Sequence, residues 1–178
     1  MARLLQPGNP TTSSPAIFAY GITQSADGIN LYKPEETHGI FADFSYLQGK
    51  VPAPFRQEWG GGVGQVIHHK FVLVDLNQPN PILFTGSSNL SEGGEMDNGD
   101  NLIAITDPVT VTAYAVEAIR LVDHYHFRMA MQKATDFKPL QLQPAGASVP
   151  WWQPYYDPSN VKYNERLLFA QGIAAGNP

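Results

Sequence analysis

The chain has 178 residues, of which 43% are hydrophobic and 11% aromatic, a composition typical of a folded domain rather than a disordered chain. Eleven Lys and Arg residues against sixteen Asp and Glu residues give a net charge of −5, which argues against a nucleic-acid binder that relies on a basic patch. The lack of Cys excludes a disulfide framework and thiolate chemistry, and no apolar run is long enough to span a bilayer.

The N-terminal part of the chain predicts a loop followed by short elements. Residues 1–15 are rich in Pro, Ser and Thr and predict a flexible segment. Their apolar stretch is too short for a signal peptide, so a cytoplasmic location is the default expectation. Residues 16–23 and 29–32 predict two strands of a hairpin, joined by the turn at 26–28. Apolar side chains at roughly helical spacing predict a short helix within 35–49.

The stretch that organises the chain is 65–105, where three apolar strands begin or end in polar groups. Residues 66–74, 82–85 and 101–105 predict these strands. Side chains alternate along a strand, so His68 and Lys70 should share one face of the first strand, and the intervening His69 should face the other way. The geometry expected is a site built on a sheet.

The polar groups of this stretch suit attack on a phosphodiester. An imidazole can act as a nucleophile at phosphorus, provided that an acidic group orients it and holds its tautomer. Lys70 supplies positive charge where phosphoryl oxygens would lie, and Ser87 and Asn89 supply neutral donors to the same oxygens. Fixed donors of this kind can carry the charge without a metal ion.

Neither a metal site nor a cofactor is expected. Neighbouring residues on a strand point to opposite faces, so His68 and His69 cannot chelate one ion. His124 and His126 lie two apart in a predicted helix and diverge in the same way. The glycine-rich segment 60–64 matches neither nucleotide-binding fingerprint. It is interpreted as a flexible entry to the first strand, with a loop at the mouth of the site as the alternative.

A family resemblance emerges from the order of these residues. The matching segments are His68-x-Lys70-x4-Asp75, Gly86-Ser87-x-Asn89 and Asn98-Gly99-Asp100-Asn101. Together they resemble the HKD motif of the phospholipase D superfamily and its continuation. The resemblance implies an α/β fold, namely a phospholipase D-like half-module with a mixed β-sheet flanked by helices.

The resemblance also implies roles for individual residues. His68 would be the nucleophile, with Asp100 as the partner of an imidazole. Lys70 and Asn89 would be phosphate ligands, and Ser87 a supporting donor.

Asp75 would be the motif aspartate, which supports the catalytic group of the motif without reacting itself. Ten residues separate it from Gly86, against six in the commonest pattern of the family. The extra residues include two Pro, so we interpret them as a longer hairpin loop that leaves the site intact.

The C-terminal half predicts two helices joined by an extension. Asp107 followed by Pro108 is a typical helix start, and the helix should run to about Lys133. An apolar stripe on this helix should pack inward: Val111, Ala115, Ala118, Val122, Tyr125 and Met129. Its polar residues should form a solvated face, with the alternative that His124 or Arg128 lines the site: Glu117, Arg120, His124 and Arg128.

The Pro-rich extension carries two aromatic pairs, Trp151-Trp152 and Tyr155-Tyr156. These rings could form a surface for lipid or substrate, but the favoured interpretation is a tail strapped over the core by aromatic anchors. Residues 160–171 predict a final helix. The predicted organisation is therefore a segment at 1–15, a phospholipase D-like domain at 16–134 and an extension at 135–178.

Three functions remain open from the sequence. The first is a phospholipase D-type phosphodiesterase that hydrolyses or transfers a phosphodiester through a phosphohistidine, with a phospholipid as the expected substrate. The second is a metal-independent endonuclease that acts as a homodimer, which the acidic charge disfavours. The third is a half-module that is inactive alone, because the family places two motifs across one site and this chain has one. A second imidazole would come from an identical chain or from a separate N-terminal half.

Overall fold

The computed structural model describes residues 19–34, 38–45, 67–76, 78–134, 137, 146 and 148–170. Within these residues the protein is mixed α/β, with two antiparallel three-stranded sheets and helices. The chain divides into two compact units: Met1–His68 with Ala118–Gln141, and His69–Glu117 with Leu142–Pro178.

The elements follow in chain order. The strands are β1 (Gly21–Gln24), β2 (Gly28–Tyr32), β3 (Ile40–Asp43), β4 (Phe71–Val74), β5 (Ile82–Gly86) and β6 (Leu102–Ile105). The helices that lie wholly within the described residues are α1 (Glu92–Met96), α2 (Pro108–Lys133) and α3 (Val161–Ala170), and a 3-10 helix (Gln153–Tyr156) precedes α3. Among the described residues no helix is long and apolar enough to cross a membrane.

The first unit is built on the β1-β2-β3 sheet. The predicted hairpin is confirmed, because β1 and β2 are antiparallel and Ser25 N–H donates to the Gly28 carbonyl at 2.8 Å. Ile29 and Leu31 of β2 are fully buried and belong to one core cluster with Val122 and Met129 of α2. Burial of such side chains stabilises the unit by about 1.5–3 kcal/mol each.

The predicted helix within 35–49 is wrong for Ile40–Asp43, which form strand β3, whereas Phe44 and Ser45 are helical. Ala42 pairs with Ile29 of β2 and is buried, whereas Phe41 and Asp43 are exposed. This two-residue alternation is that of a half-buried strand, and pairing with β2 outweighs the weak helical spacing. Residues 35–37 and 46–49 lie outside the described residues.

The second unit is built on the β4-β5-β6 sheet, also antiparallel. The second and third predicted strands of the central stretch are confirmed as β5 and β6. The first begins at Phe71, later than predicted, and residues 67–70 have no regular strand structure. His68 and Lys70 therefore lie before β4 and not within it, so the alternation of side chains along a strand does not place them on one face. Leu83 of β5 is fully buried.

Helix α2 confirms the predicted start, end and apolar stripe. It runs over Pro108–Lys133. Five stripe residues are buried, and Ala118 is half-buried: Val111, Ala115, Val122, Tyr125 and Met129. The predicted solvated face is wrong for Arg128, which is only 1% exposed and places its guanidinium carbon 5.8 Å from the Tyr125 ring centroid. The buried side of the helix is therefore wider than the apolar stripe.

Asp107 caps α2 as predicted. Its Oδ2 accepts hydrogen bonds from the Thr110 hydroxyl at 2.7 Å and the Thr110 backbone N–H at 2.8 Å. These two bonds hold the pKa of Asp107 below its ordinary value, and the bond from the Thr110 hydroxyl has the larger effect. The ionised Asp107 cap therefore stabilises the folded protein fully above the ordinary carboxyl pKa. This stabilisation is lost as pH falls through the lowered pKa of Asp107 in the folded state.

Removal of this cap should lower the melting temperature. We expect Asp107→Ala to melt a few degrees below the wild type at neutral pH, because an N-cap acceptor is lost. Asp107→Asn should melt close to the wild type, since an amide also caps a helix. The difference in melting temperature between the wild type and Asp107→Ala should become smaller below pH about 4, as Asp107 becomes protonated. Circular dichroism melts across this range measure both effects, and a gap that widens in acid would contradict the assignment.

Helix α3 confirms the predicted final helix over Val161–Ala170. The favoured interpretation of the aromatic extension is wrong for the described residues. The 3-10 helix that carries Tyr155 and Tyr156 has no buried residue, and the preceding Trp151 and Trp152 are exposed. These rings are not anchors in the core.

Candidate functional site

Motif residues from three chain segments meet at one end of the β4-β5-β6 sheet. Lys70 immediately precedes β4, whose first residue pairs with Thr85 of β5. Ser87 follows the last residue of β5, which pairs with the first residue of β6. Asp100 and Asn101 immediately precede that strand. We call Lys70, Ser87, Asp100 and Asn101 the polar end of this sheet.

Hydrogen bonds join Ser87, Asp100 and Asn101 of the polar end. The Ser87 hydroxyl donates to Asp100 Oδ1 and accepts from the Asn101 backbone N–H, both at 3.0 Å. The Asn101 side-chain Oδ1 in turn accepts from the Ser87 backbone N–H at 3.1 Å. Ser87 and Asn101 are exposed, and Asp100 is half-buried. The single hydroxyl proton of Ser87 is thus given to Asp100, and a phosphate could receive it only if that bond were exchanged.

The loop between β5 and β6 has local hydrogen bonds and passes close to the Asp100 carboxylate at Gly94. Ser88 is fully buried, and its hydroxyl accepts from the Leu90 backbone N–H at 3.0 Å. Ser91 caps α1 by accepting from the Gly94 N–H at 3.3 Å. A Cβ at Gly94 would come within 3.1 Å of Asp100 Oδ2. Glycine at this position therefore leaves room for the carboxylate.

Gly86 allows the two segments to approach closely. A Cβ at this position would clash with the Asn101 carbonyl oxygen and come within 2.6 Å of Asn101 Oδ1. Any side chain would therefore separate Ser87 from Asn101. This gives the glycine of the Gly86-Ser87-x-Asn89 pattern a physical reason.

Lys70 and His69 are held at the start of β4. The Thr85 hydroxyl donates to the Lys70 carbonyl at 2.9 Å, which fixes the backbone of Lys70 beside β5. His69 Nε2 lies 3.3 Å from Glu117 Oε1 of α2. The His69 ring also meets Phe71 edge-on, with centroids 6.3 Å apart, and Phe71 meets Tyr114 in the same way at 5.1 Å. The His69 side chain therefore contacts α2 through Glu117.

Asp75 lies away from the polar end. It follows the last residue of β4, which pairs with Ile82. Its φ of 54° and the bond from Gln78 N–H to its carbonyl, 2.8 Å, place it in the turn of the β4–β5 hairpin. At a rise of about 3.3 Å per residue, the four residues of β4 hold Asp75 roughly 16 Å from Lys70. The structure does not bring Asp75 together with the other motif residues of this unit.

The two remaining predicted residues, His68 and Asn89, are exposed. His68 ends the first part of the first unit, next in the chain to His69, which opens the second. Asn89 follows the buried Ser88 in the β5–β6 loop.

The structure adds two residues that the sequence argument did not assign. Asn101 hydrogen-bonds to Ser87 through both its backbone N–H and its side-chain oxygen. Gly94 has no side chain that would crowd the Asp100 carboxylate. The Gly-Asp-Asn pattern could have pointed to Asn101, because an Asx residue that opens a strand often bonds to nearby backbone. No sequence signal could have marked Gly94, since the crowding arises only in the folded loop.

Comparisons with known proteins give no further identification: no family model, curated protein or solved structure matches this chain. In the described part of the chain, no group of three or more His, Cys, Asp or Glu residues could hold a metal ion.

The Ser87–Asp100 bond should appear as a coupling free energy. We expect Ser87→Ala and Asp100→Ala each to lower the free energy of unfolding, and the double variant to lose about 1 kcal/mol less than their sum. Urea denaturation of the four proteins measures the cycle. A matched cycle between Ser87 and Asp97, an acid of the same loop, should show no coupling. Strict additivity of Ser87 and Asp100 would contradict the bond.

Proposed function

We propose that this chain is a phospholipase D-type phosphodiesterase with a phospholipase D-like half-module fold, and that it forms a covalent phosphohistidine at His68. The supporting observation is the polar end, where motif residues from three separate segments meet at one end of a sheet. Packing alone does not require a cation, a hydroxyl and a carboxylate at this place.

The proposed reaction has two displacements at phosphorus. The His68 imidazole attacks the phosphodiester, a nitrogen–phosphorus bond forms, and the bond to the leaving oxygen breaks as that oxygen receives a proton from a second imidazole. Water then attacks the phosphohistidine, gives a proton to the same second imidazole and releases the phosphomonoester and His68. Lys70 and Asn89 would hold the phosphoryl oxygens during both steps.

Asp100 would act on an imidazole as an orienting and charge-balancing group. Its Oδ1 is held by Ser87, which fixes the rotation of the carboxylate. An orienting group requires a carboxylate that does not rotate freely. Asp75, in the hairpin turn, would support the fold of the motif without touching substrate.

A phospholipid head-group ester is the proposed substrate. The net charge of −5 disfavours a polyanion such as a nucleic acid, since such binders normally present a basic patch. A homodimeric endonuclease is the second candidate, and a half-module that needs its partner half is the third. Comparison of a chromogenic phosphodiester, a phospholipid and single-stranded DNA as substrates separates the first two.

Turnover of the chromogenic phosphodiester should survive chelators. In this mechanism Lys70 and neutral donors carry the charge, so EDTA should change the rate by less than about twofold. Acid-labile, base-stable phosphate on the protein after a quench should mark the phosphohistidine, and His68→Asn should remove that label. Loss of activity in EDTA with recovery on adding zinc or calcium would show that the scheme is wrong.

A further inference from the structure

Four exposed or half-exposed rings lie together in the second unit. Trp151, Trp152 and Tyr156 are 56%, 46% and 62% exposed, and Tyr155 is half-buried. We call these four residues the aromatic surface. Exposed Trp and Tyr side chains grouped in this way mark interaction sites more often than scattered surface residues do.

The aromatic surface is held in a fixed shape. Trp151 meets Tyr155 edge-on with ring centroids 6.4 Å apart, and Trp152 meets Tyr156 in the same way at 6.0 Å. The turn beneath them is closed by hydrogen bonds of 3.0 Å from Gln153 N–H to Pro150 and from Tyr155 N–H to Trp152. Rings fixed before binding lose little conformational entropy when they meet a partner.

Two cations of α3 lie over the same rings. The Arg166 guanidinium carbon is 4.6 Å from the Tyr156 ring centroid, and Arg166 Nε donates to the Tyr155 carbonyl at 2.7 Å. The Lys162 ammonium is 5.1 Å from the Tyr155 ring centroid. These contacts place positive charge beside the apolar ring bodies.

Two acidic residues of this region, Asp157 and Glu165, balance the positive charge of Lys162 and Arg166. Asp157 accepts hydrogen bonds from the Ser159 hydroxyl at 2.7 Å and from the Ser159 N–H at 3.0 Å. These bonds hold the pKa of Asp157 below its ordinary value, and the hydroxyl bond has the larger effect. Glu165 lies on α3 between the two cations in sequence. With two acids and two bases, ring burial and not net charge should dominate binding.

We propose that the aromatic surface binds the interfacial region of a phospholipid bilayer. Trp and Tyr combine an apolar body with a polar edge, and such rings settle at the head-group level of membranes. Lys162 and Arg166 would meet lipid phosphates there. The choice of a lipid over a protein partner rests on the proposed function, because a phospholipid substrate is presented at such a surface.

The test measures vesicle binding through Trp fluorescence. The chain has three Trp residues, so a Trp59→Phe background leaves Trp151 and Trp152 as the only reporters. Vesicles of phosphatidylcholine, with and without phosphatidylserine, should shift their emission to the blue, and brominated lipids should quench it. In the Trp59-containing chain, Trp151→Ala with Trp152→Ala should weaken sedimentation with vesicles at least about tenfold. Phe137→Ala, which removes a fully exposed ring elsewhere, should leave binding unchanged.

The outcomes separate this inference from the proposed function. The Trp double variant should hydrolyse a water-soluble chromogenic phosphodiester at the wild-type rate, and His68→Asn should bind vesicles normally but hydrolyse nothing. Hydrolysis without vesicle binding, or equal vesicle binding by the wild type and the Trp double variant, would contradict the proposed membrane binding but not the proposed activity. Vesicle binding without hydrolysis would leave the membrane binding standing and count against the enzyme. Ring-dependent binding to another protein, without vesicle binding, would also overturn it.

Discussion

Replacement of His68 by Asn should abolish phosphodiester turnover while the protein stays folded. In the proposed mechanism His68 forms the bond to phosphorus, and an amide cannot take that role. We expect a fall in kcat of at least about a thousandfold, as is typical when the nucleophile of a covalent mechanism is removed. His68 is exposed, so its replacement should leave the melting temperature within about a degree of the wild type.

His69→Asn is the matched control, because it makes the same change one residue away. His69 contacts Glu117 and the Phe71 ring. Its side chain and that of Glu117 are 45% and 34% exposed, so loss of the pair should cost about 1 kcal/mol or less after solvent screening. Its turnover should fall less than about tenfold. Equal losses in the two variants, at unchanged melting temperature, would sink the assignment of His68.

The second large effect concerns the partner half of the site. In-line displacement puts the attacking and leaving groups on opposite sides of phosphorus. The acid must therefore sit across the site from His68, and one imidazole cannot fill both positions in a turnover. An isolated monomer should bind a phosphate analogue weakly and turn over at least about a hundredfold more slowly than a complete site, the typical contribution of a general acid.

Light scattering together with a burst assay should test this dependence. If two copies of the chain form the site through a two-fold contact, activity per chain should rise with concentration in step with dimerisation. An excess of His68→Asn should then suppress wild-type activity, because mixed dimers would hold one imidazole. A strictly monomeric chain with full, concentration-independent turnover would contradict both the dimer and the separate-half proposals.

Local signals in the sequence predicted the fold best where they were chemically specific. Asp107 before Pro108 predicted the start of α2 correctly, since capping depends on neighbouring residues alone. The region of Ile40–Asp43 was misassigned, because its structure depends on pairing with residues nine to fifteen positions earlier in β2. Arg128 was placed in solvent because it is charged, whereas its guanidinium is buried beside Tyr125.

The candidate site was predictable in its residue types but not in its bonds. The sequence pattern named Ser87 as a phosphate donor, yet its hydroxyl proton goes to Asp100. Side-chain partners of this kind depend on register between strands, which the pattern does not state. Asp75 shows the same limit: five residues from Lys70 in the motif, it lies at the other end of β4.

That separation makes the β4–β5 turn a convenient place for a chemical label. Asn80 is exposed in this turn, at the end of the sheet away from Lys70 and Ser87. The chain has no Cys, so Asn80→Cys would give a unique thiol for a dye or spin probe. Such a probe would report on binding and association without occupying the polar end.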